Sequence, residues 1–183
     1  MKLALFLDRD GIINEERHYV HRTEDFHFID GIFELCRAAI EAGVAIIVVT
    51  NQAGIGRGFF TEQQFQTLTG WMNARFAEQG VTIDQVYYCP HHPVYGTGHY
   101  KLDCLCRKPN PGMILRARDD HGICLRNSIL IGDKDWDIVA AKAAGVGTPV
   151  LISVNVPDRD AKPAYQFANL REALDFWPFR VVG

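Results

Sequence analysis

No apolar run in this sequence approaches the roughly 20 residues needed to cross a bilayer. The apolar start, Met1 to Leu7, is short and passes directly into Asp8 with no small-residue cleavage site, so it reads as a strand, not a secretory signal. Long basic stretches are missing as well, and a net charge of −3 over 183 residues argues against nucleic acid as a partner. Repeats, low-complexity tracts and interdomain linkers are also absent. What remains is expected to be a cytoplasmic monomer, one domain over residues 1–183, with neither membrane nor nucleic acid as partner. With 48% apolar and 22% charged residues, the chain has an ordinary soluble composition and the length to bury a real core. In a reducing compartment, the five cysteines point to metal ligands or core thiols before disulfides.

Apolar runs bounded by turn residues lie at 3–7, 44–50, 86–89, 129–132 and 149–152. Their continuous hydrophobicity fits strands buried on both faces, as in a parallel sheet. Helical patterns separate them. Ile32, Leu35, Cys36, Ala39 and Ile40 recur at helical spacing and Gly43 stops the run. Thr61-Glu62-Gln63-Gln64 reads as a capping box opening a helix to about Gln79. Asn110-Pro111 reads as a cap with proline in the first turn, leading a helix to His121, and a fourth helix runs from Asp135 to Ala144. Strand–helix alternation of this kind predicts a doubly wound, Rossmann-like α/β fold with right-handed crossovers. Residues 90–109 break the rhythm, and an aperiodic loop that long needs a function or a staple.

Each main strand end carries polar residues suited to one task. Asp8-Arg9-Asp10-Gly11 follows the first strand and aims two carboxylates beyond its tip. On its own this spacing equally suits an acidic turn or a calcium loop. Thr50-Asn51-Gln52-Ala53 and the run Gly54-Ile55-Gly56-Arg57-Gly58 follow the second strand, offering a hydroxyl, amides and backbone N–H groups to phosphoryl oxygens, although Thr50-Asn51 alone reads more simply as a helix cap. Arg107-Lys108 brings positive charge before the third helix, where adjacent basic residues are usually a solvated pair. Gly132-Asp133-Lys134-Asp135-Trp136-Asp137 adds a second acidic turn, in which Asp135 serves the helix amino end. The conjunction carries more weight than its members. Asp8 can act as nucleophile, Asp10 as general acid and base, and Thr50, Asn51 and Lys108 as stabilisers of equatorial phosphoryl oxygens. Mg²⁺ would be held by Asp8, Asp133 and a carbonyl near Asp10.

Asp8-x-Asp10-Gly11, Thr50, Lys108 and Gly132-Asp133-x-x-x-Asp137 resemble, in order, the four motifs of the haloacid dehalogenase superfamily of phosphatases. The resemblance implies the same roles for these residues and the same catalytic magnesium. One departure is Ile12, where threonine is common; it lies outside the reacting set.

The long loop supplies its own staple. Cys89-Pro90-His91 and Cys104-Leu105-Cys106 are two ligand pairs, and three thiolates with one imidazole make a closed structural zinc site. The alternative is a buried Cys89 with free loop thiols. Cys36 and Cys124 read as core, and His92 and His99 as surface residues. Combined with the earlier motifs, Cys89-Pro90-His91-His92-Pro93 and Cys104-x-Cys106-Arg107-Lys108-Pro109-x-Pro111-Gly112-Met113 resemble the D-glycero-D-manno-heptose-1,7-bisphosphate 7-phosphatases over residues 1–152. That likeness implies a phosphorylated sugar substrate and no large cap domain. It also implies substrate recognition by Arg107 and Lys134, a sugar-contacting wall at Glu16-Arg17-His18-Tyr19, and contacts from Arg9, Asn51, Gln52 and Ala53. A second phosphate calls for extra positive charge, which Arg57, Arg107 and Lys134 can supply. The preferred anomer is not readable, although overall likeness leans to the β form. Rival readings are a histidinol-phosphate phosphatase, whose cationic substrate would favour acidic walls, and a zinc-bearing binding module without catalysis.

Overall fold

The structure is a computed structural model and describes residues 2–158 and 160–176. Its strands are β1 (Ala4–Leu7), β2 (Ala45–Asn51), β3 (Gln85–Cys89), β4 (Ile129–Gly132), β5 (Thr148–Ile152) and β6 (Tyr165–Phe167). Its helices are α1 (Ile32–Glu41), α2 (Ala53–Gly56), α3 (Glu62–Glu78), α4 (Gly112–His121), α5 (Asp135–Ala144) and α6 (Leu170–Phe176). The strands form one parallel sheet in the order β3-β2-β1-β4-β5-β6.

The alternation of side chains divides the core in two. Leu5, Leu7, Ile46 and Val48 face α1 and α3, meeting Leu35, Leu68, Met72 and Phe76. Ala4, Phe6, Ala45, Ile47 and Val49 face the opposite way, onto Met113, Ile114 and Ala117 of α4 and Ala140 and Ala141 of α5. Both faces are therefore covered, which is why the strands read as unbroken apolar runs. Strand order reverses at β1, and in such sheets the crevice at this switch point, outside the carboxyl ends, is where ligands bind. Asp8 follows β1 and Asp133 follows β4, so the two acidic turns stand side by side there. Among the described residues no separate cap stands over this end, and no helix is long and apolar enough to cross a membrane.

The capping box at Thr61 forms as expected: Thr61 Oγ1 accepts the Gln64 N–H at 3.1 Å, and Gln64 Oε1 accepts the Thr61 N–H at 2.8 Å. Asn110 departs from expectation. The cap of α4 is Pro111, and the Asn110 side chain instead donates to the Cys104 carbonyl at 2.8 Å, because the loop needs an anchor more than the helix needs a cap. The glycine run also differs. It forms the single turn α2, in which Gly56 and Gly58 donate to Pro90 O and Ile55 O, so these N–H groups are committed within the protein. A Cβ on Gly56 would lie 2.4 Å from Pro90 O, which identifies this glycine as a site of close packing, not a phosphate cradle. Strand β6 and helix α6, past Ser153, were not legible, since three residues with two exposed carry no readable period.

Candidate active site

A cavity of about 290 Å³ opens at the carboxyl ends of β1, β2 and β4. At its floor, the buried Lys108 ammonium lies 3.0 Å from Asp8 Oδ1 and 2.5 Å from Asp137 Oδ1, and donates to the Val49 carbonyl at 2.8 Å. Asn51, the last residue of β2, fixes the backbone of Lys108: its side-chain oxygen accepts the Lys108 N–H and its amide donates to the Lys108 carbonyl, each at 3.0 Å. Burial opposes the charge on Lys108, but Asp137 and Asp8 outweigh it and hold the ammonium above the ordinary lysine range. Burial likewise raises Asp8 and Asp137, with Lys108 acting against it.

Thr50 is buried, and its hydroxyl oxygen accepts the Gln52 amide at 2.9 Å, which leaves the hydroxyl hydrogen for a ligand. The same Gln52 nitrogen donates to Asp10 Oδ2 at 2.9 Å. Arg9 and Asn14 hold the rest of the Asp10 carboxylate, Arg9 Nη2 at 2.8 Å from both oxygens and Asn14 Nδ2 at 3.0 Å from Oδ1. Arg9 itself differs from expectation. Its side chain is buried, donates to Val20 O at 2.8 Å and lies 5.7 Å from the Phe65 ring centre, so it orients Asp10 from behind and does not reach the cavity.

Asp133 lies against Gly11, where a Cβ would be 2.3 Å from Oδ2; φ of +91° there also demands glycine. Carboxylate oxygens of Asp8, Asp133 and Asp137 lie within 4.8 Å of one another. The Asp10 carboxylate is not part of this cluster and is held instead by Arg9, Asn14 and Gln52. Asp133 Oδ1 is buried without a hydrogen-bond partner, and burial, with Asp8 adding repulsion against the Lys134 hydrogen bond, pushes its pKa up to about 6. Clustered hard oxygens with one orphaned acceptor fit a divalent cation such as Mg²⁺.

The wall is built from loops. Lys134 bonds Asp133 Oδ2 at 2.5 Å and Glu16 Oε2 at 3.0 Å, and Arg17 bonds Glu15 Oε2 at 2.6 Å, so these cations are already neutralised. His18 and Tyr19 adopt positive φ (48° and 61°), a strained pair that turns this segment over the cavity. Arg57 bonds the Tyr19 hydroxyl and lies 4.9 to 5.4 Å from the ring centres of Tyr19, Phe59 and Tyr95. Arg107 spends one bond on the His91 carbonyl, at 3.2 Å. Asn51, Gln52 and Ala53 line the cavity as expected, and so do three residues that sequence reasoning missed: His92, Tyr95 and the half-exposed Trp136. His92 was read as a surface residue; only its place inside the long loop, beside His91, hinted otherwise. Burial holds its pKa below the ordinary histidine range, with the charges of Arg107 and Arg57 adding to the effect.

Beside this wall, donor atoms of Cys89, His91, Cys104 and Cys106 all lie within 4.8 Å of one another. Every one of these thiols is free, with sulfurs 3.0 to 3.4 Å apart, and three thiolates with one imidazole fit a closed tetrahedral zinc site.

A family model described as HAD-hydrolase-like matches residues 105–173. The D-glycero-β-D-manno-heptose-1,7-bisphosphate 7-phosphatase of Vibrio cholerae is 52% identical over 156 residues, 85% of this chain and 84% of that protein. The chain belongs to the heptose-1,7-bisphosphate 7-phosphatase family. It is thereby a phosphomonoester hydrolase of the haloacid dehalogenase superfamily. Another relative, the D-glycero-α-D-manno-heptose-1,7-bisphosphate 7-phosphatase of Burkholderia mallei, is 52% identical over 178 residues, 96% of this chain and 92% of that protein. Both anomeric types occur in the heptose-bisphosphate phosphatases at equal identity, so likeness does not choose between them. The solved D,D-heptose 1,7-bisphosphate phosphatase of B. bronchiseptica, complexed with magnesium and phosphate, superposes with a TM-score of 0.81 at 26% identity, covering 96% of this chain and 97% of that one.

Proposed function

We propose that this chain removes the 7-phosphate of a D-glycero-D-manno-heptose 1,7-bisphosphate through a phosphoryl group carried on Asp8, as a step in making activated heptose for lipopolysaccharide core. The observation that carries the reading is the division of one cavity into two ends. Buried Asp8 and Thr50 line the floor, with Lys108 against Asp8, and two guanidinium groups with no carboxylate partner among the described residues, Arg57 and Arg107, line the rim. A bisphosphate matches both ends.

An Asp8 carboxylate oxygen forms a bond to phosphorus while the bond from phosphorus to the sugar oxygen breaks. Asp10 gives its proton to that leaving oxygen, then takes one from the water that attacks the phosphorylated Asp8. Thr50 donates its hydroxyl to an equatorial oxygen, and the Lys108 ammonium, whose three N–H groups are held by Asp8, Asp137 and the Val49 carbonyl, offsets the charge that builds up beside Asp8. Arg9, Asn14 and Gln52 aim Asp10. Asp8, Asp133 and the backbone near Asp10 would hold Mg²⁺, with Asp137 completing the acidic cluster, and the ion supplies charge that offsets the approach of two anions.

The histidinol-phosphate alternative needs a free carboxylate for the substrate amine. Glu16 on the wall is already paired with Lys134, and the neighbouring Glu15 with Arg17. The deciding measurement is phosphate release with Mg²⁺ from both anomers of the heptose bisphosphate and from histidinol phosphate at matched concentration. Release from position 7 of a heptose bisphosphate is expected; preference for histidinol phosphate would overturn the substrate.

Zinc is proposed as structural, bound by Cys89, His91, Cys104 and Cys106. Cys104→Ser should lose the zinc seen by metal analysis and raise KM about tenfold by loosening Arg107 and His92, with a smaller effect on kcat. Full zinc content in that variant would remove Cys104 from the ligand set.

The acidic cluster also predicts a pH effect. Asp133 has a folded pKa of about 6, above the ordinary 3.8, so the stability gained from its protonation is full below about 3.8 and lost as pH rises through 6. In a chelator the melting temperature should therefore fall between pH 4 and pH 7, by several degrees. Mg²⁺ should raise it more at pH 7.5 than at pH 5. An equal effect of Mg²⁺ at both values would contradict binding at this cluster.

A further inference from the structure

Resting on the reading above, we propose that His92 is a specificity residue, whose Nε2–H donates to the distal phosphate of the sugar bisphosphate between Arg57 and Arg107. The tautomer follows from geometry. His92 Nδ1 lies 3.2 Å from the backbone nitrogen of Val94 and 3.1 Å from that of Tyr95. Backbone N–H groups only donate, so Nδ1 must present its lone pair and the ring hydrogen sits on Nε2. The loop backbone thus fixes a donor on the ring edge opposite Nδ1, and no change of protonation is involved.

Contacts place this donor beside the two free guanidinium groups. The His92 ring packs on Tyr95 at 4.8 Å, and the same Tyr95 ring carries Arg57 at 5.0 Å. On the other side, the carbonyl of the preceding residue, His91, receives Arg107 Nη1 at 3.2 Å. Arg57, His92 and Arg107 are therefore neighbours on one rim of the cavity, and all three line it. The remaining wall cations, Arg17 and Lys134, are spent on Glu15, Glu16 and Asp133. Arg57 and Arg107 are thus the cavity-lining cations with no carboxylate partner among the described residues, and His92 lies between them. The reacting phosphoryl group belongs beside Asp8 and Thr50.

The position of His92 in the zinc loop explains why a histidine is used. Its Nδ1 ties the turn at 92–95 together and leaves Nε2–H available to a ligand, so one ring can both fold the loop and read the substrate. His92→Asn keeps an acceptor near Nδ1 for Val94 and Tyr95 but has no donor at the Nε2 position. His92→Gln restores an amide donor farther out.

The test compares heptose 1,7-bisphosphate with heptose 7-phosphate, which lacks the distal group, in the zinc- and magnesium-loaded enzyme. His92→Asn should raise KM for the bisphosphate about tenfold, as loss of a hydrogen bond to a charged group requires. It should leave kcat, zinc content and the 7-phosphate kinetics unchanged, and His92→Gln should recover part of the loss. Equal effects on the two substrates, or none on either, would overturn the role of His92 while leaving the proposed activity standing. If the unaltered enzyme releases phosphate from neither, the substrate reading falls and this inference falls with it. A second measurement avoids variants altogether: in the ¹⁵N-histidine-labelled enzyme, heptose 1-phosphate should shift the His92 Nε2–H resonance. An unmoved resonance at saturating ligand refutes the contact.

Discussion

Replacing Asp8 by Asn is expected to lower phosphate release by about four orders of magnitude or more, while zinc content and fold persist. The amide has nearly the shape of the carboxylate but lacks the nucleophilic oxygen, so no covalent route remains. Stability should not fall, and the physical reason is specific to this site. Burial raises Asp8, which means that ionising it costs free energy in the folded state, and the neutral amide avoids that cost. The Lys108 ammonium keeps Asp137 and the Val49 carbonyl as partners. Steady-state and single-turnover kinetics, alongside the melting temperature with and without Mg²⁺, check both halves. Turnover close to that of the unaltered enzyme would exclude Asp8 as nucleophile.

Lys108→Met should damage stability and rate together. The ammonium stands between two buried carboxylates, 3.0 Å from Asp8 and 2.5 Å from Asp137, and its removal leaves buried negative charge without a partner. Breaking a buried pair in this way costs about 3–5 kcal/mol, which for a chain of this size lowers the melting temperature by about 10 °C. The rate should fall by about a thousandfold, since the cation that offsets charge beside the nucleophile is gone. The two effects can be pulled apart. Adding Asp137→Asn to Lys108→Met removes the worse of the two unpaired charges and should restore part of the stability with none of the rate. If the double variant melts no higher than the single one, Lys108 is not balancing Asp137 in the manner described.

Much of this site is readable from sequence because its parts sit at strand ends. Asp8, Thr50 and Asp133 each follow an apolar run that can only be a buried strand, and a parallel sheet brings such ends together without further information. The cysteine and histidine pairs are readable for a similar reason: few chains place four soft donors around one loop unless they converge. What escaped is what depends on direction. Arg9 sits in the catalytic motif, yet its side chain turns into the core, since a guanidinium that aims Asp10 and rests over Phe65 must lie behind the acid. Asn110 has the chemistry of a helix cap and spends it on Cys104 O. His92 looked like a spare histidine because nothing local reports that Val94 and Tyr95 will fold back onto its Nδ1. Strand β6 is short and half wet, so its pairing with β5 is decided by the sheet, not by its own residues.

The two ends of the cavity are made of different material. Its floor lies at the end of the sheet, where Asp8 and Thr50 are buried at strand ends and Lys108, from the loop before α4, is buried against Asp8. Its rim belongs to connections, the segments around 16–19, 57–59 and 92–95, and to Lys134 and Trp136 at the start of α5, none of which is in the proposed reacting set. Heredity can therefore act on the two parts separately. Under the proposed mechanism, exchange of a rim segment should alter which sugar is accepted and leave the hydrolytic step intact, whereas a change at the floor should remove catalysis for every substrate at once. A lineage built on this plan can diversify its diet without relearning its chemistry, and a directed-evolution library for a new phosphate ester belongs in those segments.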